Sequence, residues 1–116
     1  MSSRLPKHLH DALNAARLAV GFVRGLDDAT YAADVLVRSG VERQLEILGE
    51  ACRRALDDTP ELSRRLPDML YAVALRNRII HGYDRLENII VLETVRRDLP
   101  PLMAGLEQEL SGFQPP

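Results

Sequence analysis

Apolar residues recur along the chain with the three-and-four spacing of helices, and the sequence reads as a series of them. Leu9, Leu13, Ala16, Val20 and Val23 give one apolar face to a first helix from about Pro6 to Arg24. Gly25 supplies a stop signal. Asp27-Asp28 and Thr30 offer caps for a short helical stretch through Tyr31 to Ala33. The clearest helix follows. Val41, Leu45, Leu48, Cys52 and Leu56 alternate steps of four and three in a narrow apolar seam, while Glu42, Arg43, Glu46, Arg53 and Arg54 occupy other faces. Ser39-Gly40 weakens a helix locally, so this one begins either near Asp34 or just before Val41. It ends near Asp57-Asp58, ahead of Thr59-Pro60.

Glu61 to Leu66 reads as a single helical turn. Pro67 suits the opening of a further helix, which carries Leu70, Val73, Ala74 and Leu75 and reaches His81, with Gly82 as its stop. Leu86, Ile89, Ile90, Leu92 and Val95 form another helical stretch up to about Arg97. Pro100-Pro101 is expected to break or kink it, and Leu102, Leu106 and Leu110 continue at steps of four on a terminal helix. Four main helices with shorter pieces predict an all-α, up-and-down four-helix-type bundle. The length suits one domain over residues 1–116, with a frayed tail from about 112 to 116.

Composition narrows this picture. Apolar residues make up 46 % of the chain and aromatics only 4 %, without Trp, so the core must be mainly Leu, Val, Ile and Ala. A net charge of -2 argues against a general polyanion binder with a broad basic surface, yet leaves room for a small basic site. Lys7 is the only Lys, so nearly all the positive charge is Arg, which suits bidentate phosphate contacts. The single Cys52 excludes an internal disulfide framework and any zinc site needing several thiolates. It falls on the apolar seam and reads as core. No apolar run approaches membrane-spanning length and the N-terminus has no apolar signal core, so a cytoplasmic protein with no membrane partner is expected.

The candidate chemistry lies in Arg76-Asn77-Arg78-Ile79-Ile80-His81-Gly82-Tyr83. The segment ends a helix, where partial negative charge collects and cations are favoured. Asn77 and His81 are four apart and share a face, whereas Arg76 and His81 stand about 140° apart around an ideal helix. A long Arg can still reach round to a shared cleft. Together they offer a guanidinium for phosphate, an amide for orientation and an imidazole for proton transfer. RNA transesterification needs these groups: a positive fork for the phosphorane oxygens and a group titrating near neutrality to move protons. With an Arg and a His in those roles it needs no metal and no cofactor. On position alone, an Arg and a His at a helix end are ordinarily surface or capping groups.

The segment resembles the R-N-x-x-x-H-x-Y signature of the HEPN-domain HepT toxin family. Arg76 and Asn77 match its opening pair, His81 its histidine and Tyr83 its tyrosine. Leu48-Gly49-Glu50-Ala51 is similar to the I-G-E-A stretch of the family's long helix, and Asp98-Leu99-Pro100-Pro101-Leu102 to its D-L-P-x-L ending. The three ordered blocks cover about Val41 to Leu110, and the first forty residues fit only as a generic helix. The resemblance implies a homodimer in which the motifs of both subunits form one composite site on an RNA substrate, leaving a 2′,3′-cyclic phosphate, or its opened form, and a 5′-hydroxyl. It further implies an MntA-like minimal nucleotidyltransferase antitoxin as partner, with Tyr83 as the residue that receives AMP. Two departures concern the surroundings: Tyr71 is the nearest match to an early aromatic, and Asp84-Arg85-Leu86-Glu87 replaces an Ile-Asp pair.

Other residues carry alternatives. Arg78 either touches RNA or is solvated. Glu50 either orients an Arg or is a helix-surface carboxylate, and Gly49 permits close helix approach. His8 and His10, two apart on different faces, read as solvated. Among the pairs Arg53-Arg54, Arg64-Arg65 and Arg96-Arg97, one could extend the RNA path or meet an acidic antitoxin surface. The main rival to a ribonuclease is a non-catalytic dimeric module that docks a minimal nucleotidyltransferase. A nucleotide-binding regulator is a weaker rival, because no glycine-rich phosphate loop supports it.

Overall fold

The computed structural model describes residues 3–81 and 87–113. Their elements are α1 (Leu5–Val23), α2 (Asp28–Ala33), α3 (Val35–Asp58), α4 (Leu62–Arg65), α5 (Asp68–His81), α6 (Asn88–Glu93), a π-helical turn (Thr94–Asp98) and α7 (Leu99–Ser111). The all-α bundle expected from the spacing is what forms. The stop expected at Gly82, the apolar position Leu86 and the tail beyond Phe113 lie outside the described residues.

Side-chain chemistry at the helix ends accounts for most boundaries. Pro6 sits in the first turn of α1, where a missing donor costs nothing. Gly25 takes φ +79, a left-handed conformation open to glycine, and turns the chain after α1. Asp27 caps α2 by accepting from the Thr30 N–H at 2.7 Å. Asp34 caps α3 by accepting from the Val37 N–H at 3.1 Å, which sets the start of α3 at the earlier of the two expected places. The helix then runs unbroken through Ser39-Gly40, where a Cβ at Gly40 would lie 3.3 Å from the Phe22 ring.

That contact joins the end of α1 to the start of α3. At the other end Ser3 Oγ donates to Asp58 Oδ1 at 3.0 Å, so α1 and α3 run antiparallel. α3 packs chiefly against α1 and α5, and α7 lies against α1. Leu9, Leu13 and Ala16 of α1, the seam Val41, Leu45, Leu48 and Cys52 of α3, and Leu102, Leu106 and Leu110 of α7 are buried together. Burial pushes the Cys52 thiol up to about 12, which keeps it protonated and inert.

Packing settles the buried face of α5, and one expectation, at Pro100-Pro101, is corrected. α5 buries Met69, Ala72 and Leu75, while Leu70 is 54 % exposed and Ala74 also faces solvent. A run of neighbouring apolar residues left its face ambiguous, and the contact with α3 decides it. Pro100-Pro101 does not break the chain's helical path. The pair lies in the first turn of α7, and the step from α6 is made by the wider π-helical turn, with Thr94 buried at its start.

Candidate active site

Gly49 sets how closely α3 and α5 meet. A Cβ at position 49 would fall 2.2 Å from the Cβ of Arg76 and 2.8 Å from the Ala72 carbonyl oxygen, so only glycine fits. The notch seats Arg76, whose side chain is 25 % exposed. Its Nη2 lies 3.5 Å from Glu50 Oε2, and its Nη1 donates to Asn77 Oδ1 at 2.9 Å. Its Nε is buried without a partner among the described residues. This hold is loose beside that of Arg65, which makes two bonds of 3.0 Å to the carboxylate of Glu109.

Glu50 gathers three guanidinium groups. Besides Arg76, it meets Arg53 at 2.6 Å and Arg54 at 3.7 Å. Burial would raise its pKa, but the Arg53 hydrogen bond and the charges of Arg53, Arg76 and Arg54 outweigh that and hold the carboxyl below the ordinary range. At neutral pH it is therefore an anion that fixes one edge of Arg76.

His81 is the last residue of α5 and is exposed. It stands one turn beyond Asn77, so Asn77 links the Arg76 guanidinium to the face that carries the imidazole. Arg78 is exposed, and Tyr83 lies outside the described residues. Tyr71 is 45 % exposed and its hydroxyl pairs with Thr94 Oγ1 at 3.2 Å, tying α5 to the π-helical turn.

A groove of about 480 Å³ opens beside Arg76, with walls from α1 and α5 and a floor from α3. It is lined by His8, Leu18, Arg43, Arg54 and Ile80 as well as by Arg76 and Glu50. His8 is half-buried in this wall, not solvated as expected, whereas His10 is exposed. Arg54, from one of the basic pairs named as a possible extension of the RNA path, lies in this lining, whereas the contribution of Arg43 was missed. The signal for it is the stripe Arg43, Ile47, Glu50, Arg54 at steps of four, three and four, a second helical face beside the apolar seam. Among the described residues no three His, Cys, Asp or Glu side chains gather where they could hold a metal ion. Among the same residues no helix is long and apolar enough to cross a membrane. The groove lining takes in Arg76 but neither Asn77 nor His81, so an oriented, partly exposed guanidinium stands at the groove while the amide and the imidazole lie outside its lining on the same helix.

Comparison with known proteins places the chain in a family. The family model described as "Ribonuclease HepT-like" matches residues 12–109, which extends the likeness into α1, beyond the motif blocks. A protein of Methanocaldococcus jannaschii named "Putative RNase MJ1380" is 31 % identical over 99 residues, covering 85 % of this chain and 90 % of its own. "Probable ribonuclease HepT" of Thermococcus cleftensis is 29 % identical over 101 residues, covering 87 % of this chain and 91 % of its own. No solved structure matches the chain.

Proposed function

The chain belongs to the HepT-like ribonuclease family, and on that footing we propose that it is a metal-independent endoribonuclease. The observation that carries this reading is the seat of Arg76. A glycine notch and a carboxylate orient the guanidinium while leaving it exposed to a groove, with an imidazole five residues on at the end of the same helix. A purely structural Arg needs no such combination.

In the reaction, the 2′-hydroxyl of RNA loses its proton and its oxygen attacks the adjacent phosphorus. The bond from phosphorus to the 5′-oxygen breaks, and that oxygen takes up a proton. Arg76 stabilises the charge on the phosphorane oxygens, Asn77 orients groups in the cleft, and His81 transfers protons. In a homodimer two His81 side chains serve one phosphate, one as base and the other as acid. Leu18 and Ile80, exposed apolar side chains beside Arg76, support a subunit contact at this edge.

The fuller reading is a cytoplasmic toxin of a type VII HEPN/MNT toxin–antitoxin system. An MntA-like minimal nucleotidyltransferase transfers AMP from ATP to Tyr83, two residues beyond His81 in the sequence: the tyrosine oxygen loses its proton and bonds the α-phosphorus, and pyrophosphate leaves. The nucleotide blocks the cleft and adds a negative charge that repels RNA. Product analysis tests the chemistry. The reading expects a 2′,3′-cyclic phosphate, or its opened form, together with a 5′-hydroxyl, and 5′-phosphate ends would contradict it.

A further inference from the structure

From the groove beside Arg76 we infer that Arg54 is a second phosphate-binding residue. It seats the phosphate next to the scissile one, so the groove engages a stretch of single-stranded backbone and not a lone phosphodiester. The inference rests on the reading that this groove cleaves RNA.

Arg54 and Arg76 come from different helices, yet they approach the two oxygens of one carboxylate. Arg54 Nε lies 3.7 Å from Glu50 Oε1, and Arg76 Nη2 lies 3.5 Å from Oε2. Sharing one carboxylate keeps the two cations close together in the groove. Both line the same groove, and the Arg54 side chain is 59 % exposed.

Arg54 is also the loosest of the three arginines around Glu50. Arg53 is tied to Glu50 at 2.6 Å and to Asp57 at 2.8 Å. The contact of Arg54 with Glu50 is a single long one, so turning toward a phosphate leaves Glu50 still paired with Arg53. Arg43, Arg54 and Arg76 of the lining are matched in number by Asp11, Glu46 and Glu50, and the pairing of Glu50 with Arg53 from outside the lining leaves Arg54 and Arg76 less than fully compensated. Other acids of the groove are neutralised locally: Asp11 by Lys7 at 2.8 Å and Glu46 by Arg43 at 3.2 Å. A chain of net charge -2 thus keeps a small cationic strip beside its candidate catalytic Arg. Arg suits this task, because a planar fork grips phosphate oxygens in pairs.

The test is Arg54→Gln assayed on two substrates, a single-stranded hexaribonucleotide and a dinucleoside monophosphate, which has one phosphate and cannot reach Arg54. Arg64→Gln, an exposed cation outside the groove lining, is the charge control. The expected result for Arg54→Gln is a KM for the hexanucleotide raised roughly threefold to tenfold at unchanged kcat. The slope of log KM against log salt falls by about 0.7, and kcat/KM on the dinucleoside is unchanged. Arg64→Gln matches the wild type on both substrates. An unchanged hexanucleotide KM, an equal effect on both substrates, or a fall in kcat alone overturns the inference while the ribonuclease reading stands. If the wild type cleaves neither substrate, that reading falls and takes the inference with it.

Discussion

In the proposed reaction two needs meet at Arg76: the guanidinium must be oriented, and it must stay free to take a phosphate oxygen. Glu50 and Asn77 satisfy the first with one contact each, and the remaining exposure satisfies the second. Arg76→Ala should lower kcat/KM for RNA by about a hundredfold to a thousandfold in steady-state assays. Arg76→Lys should recover little of it, since an ammonium lacks the fork. Tyr31 shows the opposite case, a polar group with no task. It is 1 % exposed, and its hydroxyl has no hydrogen-bond partner among the described residues. Burial, with a smaller push from Glu42, raises it from 10.0 to about 12. A raised pKa favours the neutral form in the folded chain, so its contribution is intact below about pH 10 and is lost as pH rises toward 12. Tyr31→Phe should therefore match or exceed wild-type stability near neutrality, by up to about 1 kcal/mol. In thermal melts the variant's margin over the wild type should widen between pH 10 and 12.

Among elements, the α3–α5 contact controls the site. Gly49→Ala would push a methyl into Arg76 and the Ala72 carbonyl, forcing the helices apart. The expected cost is about 1–3 kcal/mol in denaturant unfolding, with a fall in activity because Arg76 loses its seat. This contact also shows what the sequence could reveal. Residues 76, 77 and 81 sit in one short helical segment, and the spacing of Val41, Leu45, Leu48 and Cys52 specifies a face without outside help. The burial of α5 was not legible, because Leu70 and Ala74 are as apolar as Met69 and Ala72, and the choice is made by a glycine twenty residues or more upstream. Pro100-Pro101 misled for a related reason: a proline pair at a helix start resembles one that ends a helix until the preceding turn is known. His8 joined the groove lining only once α1 and α3 were paired antiparallel, a tertiary fact with no local sequence signature, whereas Arg54 lies on a stripe that the sequence spaces along α3.

At the scale of the whole molecule, the proposed ribonuclease meets its polyanionic substrate through one small strip of a chain of net negative charge, and the proposed dimer completes the site with a second copy. Ile80 is 46 % exposed at the groove edge beside Arg76. The proposed dimer predicts that Ile80→Glu sediments as a monomer where the wild type sediments as a dimer and loses cleavage with it, while helicity by circular dichroism stays near wild type. A monomeric wild type that cleaves RNA at full rate would contradict the shared site. The most direct test of the central claim is RNA cleavage in the presence of EDTA by the wild type and by His81→Ala, with intact mass used to establish that Tyr83 carries no AMP in either. The account predicts cleavage by the wild type and a loss of at least about a hundredfold in the variant. Equal cleavage by both, with the same pattern, would contradict the role of His81. No cleavage by unmodified wild type would make the chain a docking module instead of a nuclease.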